Sequence, residues 1–187
     1  IKSLTMDDLA EKLGCSKKTL YVYYENRGDL VLKVITQDMD DHYTEVQSII
    51  DQNLNPIDEF FSLNQVDLKK IKTIHPSAQY DLKKYYPKAW KVFDLVIKQR
   101  GFELTLNNLK KGINCGLYRS EINPEIMARI LAEKLELIFN GDLFQSHLIS
   151  FPQVYQELMT HYMLGVVSEK GRAYFLNHHS NIFLNHE

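Results

Sequence analysis

The sequence predicts an all-α protein, and three observations carry that expectation. No stretch sustains the two-residue alternation of a half-buried strand, and no Asn-Gly or Asp-Gly pair marks a hairpin. The five prolines, Pro56, Pro76, Pro87, Pro124 and Pro152, are each followed by helix-compatible residues and read as helix starts. Near the N-terminus two short amphipathic segments flank Gly14-Cys15, a spacing that reads as helix, turn, helix.

In chain order, Thr5-Met6-Asp7-Asp8 has the spacing of a capping box, and Leu9, Ala10 and Leu13 supply an apolar stripe that ends at Gly14, where a tight turn is permitted. The next helix, SKKTLYVYY, begins at Ser16, whose hydroxyl can cap it. Leu20 and Tyr24 fall one turn apart on a face for the protein, while Lys17, Lys18, Tyr21 and Val22 point elsewhere. That outer face suits the major groove of DNA: a lysine can donate to guanine O6 and N7, and Tyr21 and Val22 can pack on thymine methyls. The candidate DNA-binding set is Thr5, Ser16, Lys17, Lys18, Thr19, Tyr21, Val22, Tyr23 and Arg27, with Thr5, Tyr23 and Arg27 expected on phosphates. The chain carries a formal charge of −2. From Ser16 to Arg27, however, Lys17, Lys18 and Arg27 outnumber Glu25, so a small basic face sits on an acidic body.

The stretch TMDDLAEKLGCSKKTLYVYYENRGDLVLKVI resembles the DNA-binding signature of TetR-family transcriptional regulators, through Thr5, Ala10, Gly14, Leu20, Tyr21, Tyr24 and Arg27 at matching offsets. The resemblance implies a homodimeric, ligand-responsive regulator, most often a repressor, bound to a near-palindromic double-stranded DNA operator and released by a small-molecule effector. It also implies a further helix ahead of this motif. This sequence begins at Ile1, in the loop that would follow such a helix.

After the reader, Asn26-Arg27-Gly28-Asp29 repeats the cap logic and opens a long helix expected to reach about Ile50. Asp38, Asp41 and His42 fall at helical spacing, but an acidic solvated face accounts for them and no metal is expected. Helices are then expected over roughly 56–74, 76–85, 87–116 with a bend near Gly101, 123–140 and 152–168. The domain reading is 1–47 for the helix-turn-helix and linking helix, and 48–187 for effector binding and dimerisation.

Aromatic residues concentrate between Pro76 and Phe93, and Phe60 and Phe61 precede them. Phe60, Phe61, Tyr80, Tyr86, Trp90, Phe93 and Met127 are the candidate effector-pocket residues, with a packed aromatic core as the alternative for any one of them. The last two long helices carry apolar residues around more than one face, Ile138 and Phe139 among them, which calls for a second covering surface. In proteins of the resembling family a twofold mate supplies it, so Ala128, Ala132, Leu135, Tyr155, Leu158, Met159 and Tyr162 are the candidate dimer interface. Lys170-Gly171-Arg172 is expected to end the final helix, with Phe175, Leu176, Ile182 and Phe183 packing back onto the body.

Composition and motifs bound the remaining classes. With 187 residues and 44% hydrophobic content, the chain suits one or two globular domains. No apolar run is long enough for a bilayer and no signal-peptide pattern appears, so a cytoplasmic location without a membrane partner is expected. Cys15 and Cys115 are too few for a disulfide framework or zinc module. HExxH, GxSxG, GxxxxGK[ST], GxGxxG and CxxC are all missing, so neither an enzyme nor a cofactor is expected. The alternative function is a helical small-molecule-binding or protein-interaction module that does not bind DNA.

Overall fold

The capping box at Thr5 forms. In the computed structural model of the protein, which describes residues 4–73, 77–139 and 150–179, the Thr5 hydroxyl accepts from the Asp8 amide at 3.1 Å and the Asp8 carboxylate accepts from the Thr5 amide at 2.7 Å. These bonds start α1 (Met6–Lys12), Ser16 caps α2 (Lys17–Tyr23), and Asn26 caps α3 (Arg27–Ile50) by accepting from the Asp29 amide. Between α1 and α2, Gly14 has φ 63°, a left-handed conformation that a side chain would strain.

Prolines open the later helices as their fixed φ and missing N–H allow. Pro56 begins α4 (Pro56–Thr73), Pro87 begins α6 (Pro87–Leu95) and Pro124 begins α8 (Pro124–Phe139), while α5 spans Ser77–Tyr85. Pro76 lies outside the described residues. A π-helical turn, Val96–Arg100, separates α6 from α7 (Gly101–Asn114), which is where a bend is expected. Ser150 caps α9 (Phe151–Val166) with a capping box to Gln153. Among the described residues there is no strand, only an isolated bridge between Tyr118 and Val167.

Gly171 does not end the final long helix. α9 stops at Val166, and Gly171 lies inside a further helix, α10 (Glu169–His179), which the sequence reading did not anticipate. A side chain at Gly171 would overlap the Leu117 carbonyl, so the glycine serves close helix packing rather than termination. Phe175 is fully buried as expected, but Leu176 is exposed; Ile182 and Phe183 lie outside the described residues. Leu13, expected on the apolar stripe of α1, is 66% exposed because it caps the helix and Met6 takes the inner position with Ala10.

The described residues fall into two compact units. The first contains those up to Thr44 together with those from α5 to Ile97; the second contains those from Glu45 to Thr73 and from Lys98 onward. A single boundary near 47 therefore gives way to an interrupted one. Leu82 of α5 and Ala89 of α6 are buried against Val31 of α3, which draws α5 and α6 into the N-terminal unit.

The second unit has an apolar core from α4, α7, α8, α9 and α10, crossed by one buried polar chain. Glu59 accepts from Lys111 Nζ at 2.7 Å and from Asn108 Nδ2 at 2.9 Å; Tyr118 O–H donates to Asn108 Oδ1 at 2.9 Å and to the Pro56 carbonyl at 3.0 Å. Every member is partnered, which is the condition for a polar group to be tolerated in a core. At the start of α4, Asp58 accepts from Tyr174 and from His179 Nε2, each at 2.7 Å, and His179 stacks on Phe61 at 4.5 Å. The adjacent histidines thus serve packing: His178 stacks on Tyr174.

Tyr118→Phe keeps the ring but deletes the donor, leaving Asn108 Oδ1 without that bond and the Pro56 carbonyl with only the Asn108 Nδ2 donor at 2.9 Å. Urea unfolding should show a loss of about 1–3 kcal/mol with near-native helicity before the transition. Partial burial raises the Asp58 carboxyl pKa, but hydrogen bonds from His179, Tyr174 and Asn55 outweigh it and hold the group below its ordinary 3.8. Its folded value is depressed, so its stabilisation is present above the unfolded pKa and is lost as pH falls through the lower folded value. Asp58→Asn should therefore be less stable than the parent at neutral pH, with the difference shrinking below pH 3.8, as acid titration of thermal unfolding would read out.

Candidate nucleic-acid interface

α2 is anchored by one side chain. Leu20 is buried against Met6 and Ala10 of α1, with Leu9, Cys15 and Leu30 packed around them. Burying such a side chain contributes roughly 1.5–3 kcal/mol. With Leu20 inward, helical geometry turns the intervening residues out: Tyr21 is 47% exposed, Val22 73% and Tyr23 67%. Lys18 and Thr19 are exposed on the same helix. Tyr24, expected to share the inner face, is half-buried; it caps the helix in an extended conformation, and Lys33 Nζ sits 5.3 Å above its ring.

The two lysines at the start of α2 differ. Lys17 reaches back to α1 and pairs with Asp7 at 2.7 Å, with both side chains well exposed. Such a surface pair contributes little, so Lys17 can exchange Asp7 for a phosphate at small cost. Ser16 and Thr19 share a 2.8 Å hydroxyl hydrogen bond, and the Thr19 amide donates to Ser16 Oγ, so Ser16 serves the helix start first.

Hydrogen bonds from the Thr5 amide and hydroxyl hold the Asp8 carboxyl below its ordinary range, and the Lys12 and Arg27 charges add smaller pushes in the same direction. The Arg27 guanidinium lies 5.6 Å from the centroid of the Tyr86 ring. Lys33 donates to the Tyr23 carbonyl at 3.0 Å and pairs with Asp29 at 3.3 Å, placing a cation at the negative end of the α2 dipole. In the sequence Lys33 shows only its four-residue spacing from Asp29; its bond to α2 depends on the crossing of two helices.

The expected pocket aromatics do not form one group. Phe60, Phe61 and Met127 belong to the core of the second unit, where Phe60 stacks on Tyr162 at 5.7 Å and Phe61 on Phe175 at 5.3 Å. Tyr86, Trp90 and Phe93 pack in the first unit around Val31, Leu82 and Ala89, whereas Tyr80 is 60% exposed. The Tyr162 hydroxyl is buried with no hydrogen-bond partner among the described residues, and burial pushes its pKa up.

The expected interface set also needs correction. Ala128, Tyr155, Met159 and Tyr162 are buried by their own chain at 0%, 3%, 4% and 7% exposure. Tyr155 donates to Asn64 at 2.8 Å and to Asp67 at 3.0 Å, so α4 covers this side of α9. Ala132, Leu135 and Leu158 are half-buried, and among the described side chains of α8 the exposed large apolar residues are Ile126 and Ile130, at 55% and 39%. The side chains of Ile138 and Phe139 lie outside the described residues. Among the described residues no group of three metal-ligating side chains is placed to hold an ion, and no helix is long and apolar enough to cross a membrane.

No protein-family model matches the chain. A relative from Bacillus subtilis (strain 168), the uncharacterized HTH-type transcriptional regulator YvaF, is 24% identical over 169 residues, which cover 90% of this chain and 88% of that protein. Among solved structures, the TetR-family transcriptional regulator PfmR from Thermus thermophilus matches with a TM-score of 0.61 at 14% identity, over 86% of this chain and 88% of its own. The complex of SmeT with triclosan matches with a TM-score of 0.63 at 11% identity, over 90% and 84% respectively; SmeT is the repressor of the Stenotrophomonas maltophilia multidrug efflux pump SmeDEF. The chain has the all-helical fold of the TetR-family transcriptional regulators and resembles them over most of its length.

Proposed function

We propose that the protein is a ligand-responsive transcriptional regulator that binds a near-palindromic operator as a homodimer, represses from it, and is released by a small-molecule effector. The observation that carries the reading is the outer face of α2, where Tyr21, Val22 and Tyr23 stand exposed beside Lys18 while Leu20 alone anchors the helix. Large apolar side chains held outward on a short, rigidly packed helix are suited to thymine methyls and sugar edges, and Lys18 to a guanine. Thr5, Lys17, Tyr23 and Arg27 then position the reader on phosphates.

Coupling to an effector has a physical route inside the first unit. Leu30 of α3 packs against both the Leu20 cluster and the Val31–Leu82–Ala89 cluster, so displacement of α5 or α6 reaches the reading helix through one shared side chain. For the effector itself, the core of the second unit offers apolar walls at Phe60 and Met159 beside the unpartnered Tyr162 hydroxyl, a combination suited to an apolar molecule with one polar group. The triclosan complex of SmeT supports such a ligand class by likeness of fold. Ligand binding that favours one spacing of two readers over another weakens the operator by linkage.

Pairing of two chains is assigned to the outward faces of α8 and α9. Ile126 and Ile130 lie one turn apart on α8 and are exposed, and Leu158 of α9 is half-buried at the edge of the core. A twofold contact repeats each of these residues, so a modest apolar patch is used twice.

Arg27→Ala should weaken binding to all DNA sequences alike and reduce the slope of log affinity against log salt by about two units, one phosphate contact being lost from each subunit of the dimer; an unchanged slope removes Arg27 from the phosphate contacts. Ile130→Glu places a carboxylate on an exposed position, so the subunit should keep its helicity while the dimer dissociates and operator affinity falls. Sedimentation and DNA titration on one sample check this, and a dimeric variant with full affinity sinks the assignment of that face.

A further inference from the structure

The corner between α5 and α6 reads Lys83-Lys84-Tyr85-Tyr86-Pro87-Lys88-Ala89-Trp90-Lys91, a run in which basic residues alternate with aromatic ones. All four lysines are exposed, and both helices group with the helix-turn-helix unit. Lys83 Nζ lies 5.4 Å from the Trp90 ring centroid; Lys84 Nζ lies 5.2 Å from that of Tyr80 and 5.5 Å from that of Tyr85. Lys84 also donates to the Tyr80 hydroxyl at 2.8 Å.

These contacts fix the ammonium groups without neutralising them. An aromatic face attracts a cation through its quadrupole and carries no net charge, whereas a carboxylate would cancel the lysine it meets. The acids on these two helices sit deeper: Asp81 is buried and Asp94 half-buried. Lys83, Lys84, Lys88 and Lys91 are thus four exposed cations on two successive helices of a chain whose formal charge is −2. Arg27 at the start of α3 packs over the ring of Tyr86, the residue between α5 and α6, so a proposed phosphate anchor of the reader meets the corner that carries these lysines.

We propose that these lysines form a second, sequence-independent DNA contact that grips phosphates of the duplex flanking the base pairs read by α2. The proposal rests on the DNA-binding reading above. A phosphate backbone fits better than a lipid surface for two reasons. The lysines lie in the unit that carries the reader, beside its proposed phosphate anchor. The exposed rings among them, Tyr80 and Tyr85, are engaged with Lys84 rather than standing free for insertion into a bilayer. The aromatic run expected to line a cavity then has a different use at Tyr80 and Trp90, which position cations.

The experiment takes the whole chain, the Lys88→Gln/Lys91→Gln variant and the Lys88→Arg/Lys91→Arg variant, and titrates each at several salt concentrations by fluorescence anisotropy. Two mixed-sequence duplexes serve as probes, one of about 16 and one of about 40 base pairs, since phosphate contacts do not depend on sequence. On the long duplex the glutamine variant should lose up to about 3.6 units of the slope of log affinity against log salt, because the dimer loses two lysines from each subunit and each lost phosphate contact removes about 0.9. The arginine variant should keep the parent slope, and the short duplex should distinguish the proteins less. Circular dichroism verifies that all three are folded. A glutamine variant with the parent slope on the long duplex overturns this proposal and leaves the reader standing. Parent protein that binds neither duplex at low salt overturns the DNA-binding reading and this contact with it. An unchanged slope accompanied by lost binding to phosphatidylserine vesicles would assign the lysines to a membrane surface and overturn it as well.

Discussion

Leu30 is the side chain on which the proposed DNA-reading end depends. The α1–α2 pair buries only Met6, Ala10 and Leu20, too little apolar surface to hold two seven-residue helices by itself. Leu30, near the start of α3, closes that small cluster from one side and enters the Val31–Leu82–Ala89 cluster from the other. The reader is therefore not a self-sufficient motif attached to a body; it is one end of a continuous packed column. That arrangement makes its orientation a property of α3, α5 and α6 together.

The distribution of polar groups follows the same division of labour. In the second unit the polar chain through Lys111, Glu59, Asn108 and Tyr118 is closed, each group meeting a partner, and it ties the start of α4 to the end of α7. Closed networks of this kind specify one packing, because every alternative strands a buried donor or acceptor. Tyr162 is the exception, a buried hydroxyl beside Phe60 that the described residues leave without a partner. A buried hydroxyl without a partner carries a desolvation cost that the satisfied groups around it do not.

Local rules made the helix starts legible in the sequence. Thr5, Ser16, Asn26, Pro56, Pro87 and Pro124 act within a few residues of themselves, and each begins a helix where its chemistry demands. Gly171 could not be read this way, because a glycine at a helix end and a glycine under a crossing backbone look alike in sequence; the Leu117 carbonyl that decides between them is far along the chain. The apolar stripe on α9 posed the same difficulty. Its width was visible, but the cover for Tyr155 and Met159 is α4 of the same chain, and pairing of distant helices leaves no local mark. In the candidate site, the outward Tyr21, Val22 and Tyr23 followed from periodicity, while the grouping of α5 and α6 with the reader did not, since it depends on where Leu82 and Ala89 come to rest.

Cations are held in two ways along this chain, and the difference has physical consequences. Lys17 and Lys33 meet Asp7 and Asp29, so their charges are largely spent within the protein until a stronger anion displaces the carboxylate. Lys83 and Lys84 rest on rings, so their charges remain directed outward while their long side chains are already restrained. Ordering a lysine side chain otherwise opposes binding by an amount comparable to a surface ion pair. Restraint by an aromatic face removes part of that cost before a partner arrives and leaves the attraction intact. An acidic chain can in this way present local cations without a high overall charge, while a carboxylate of the same helix, Asp81, is buried.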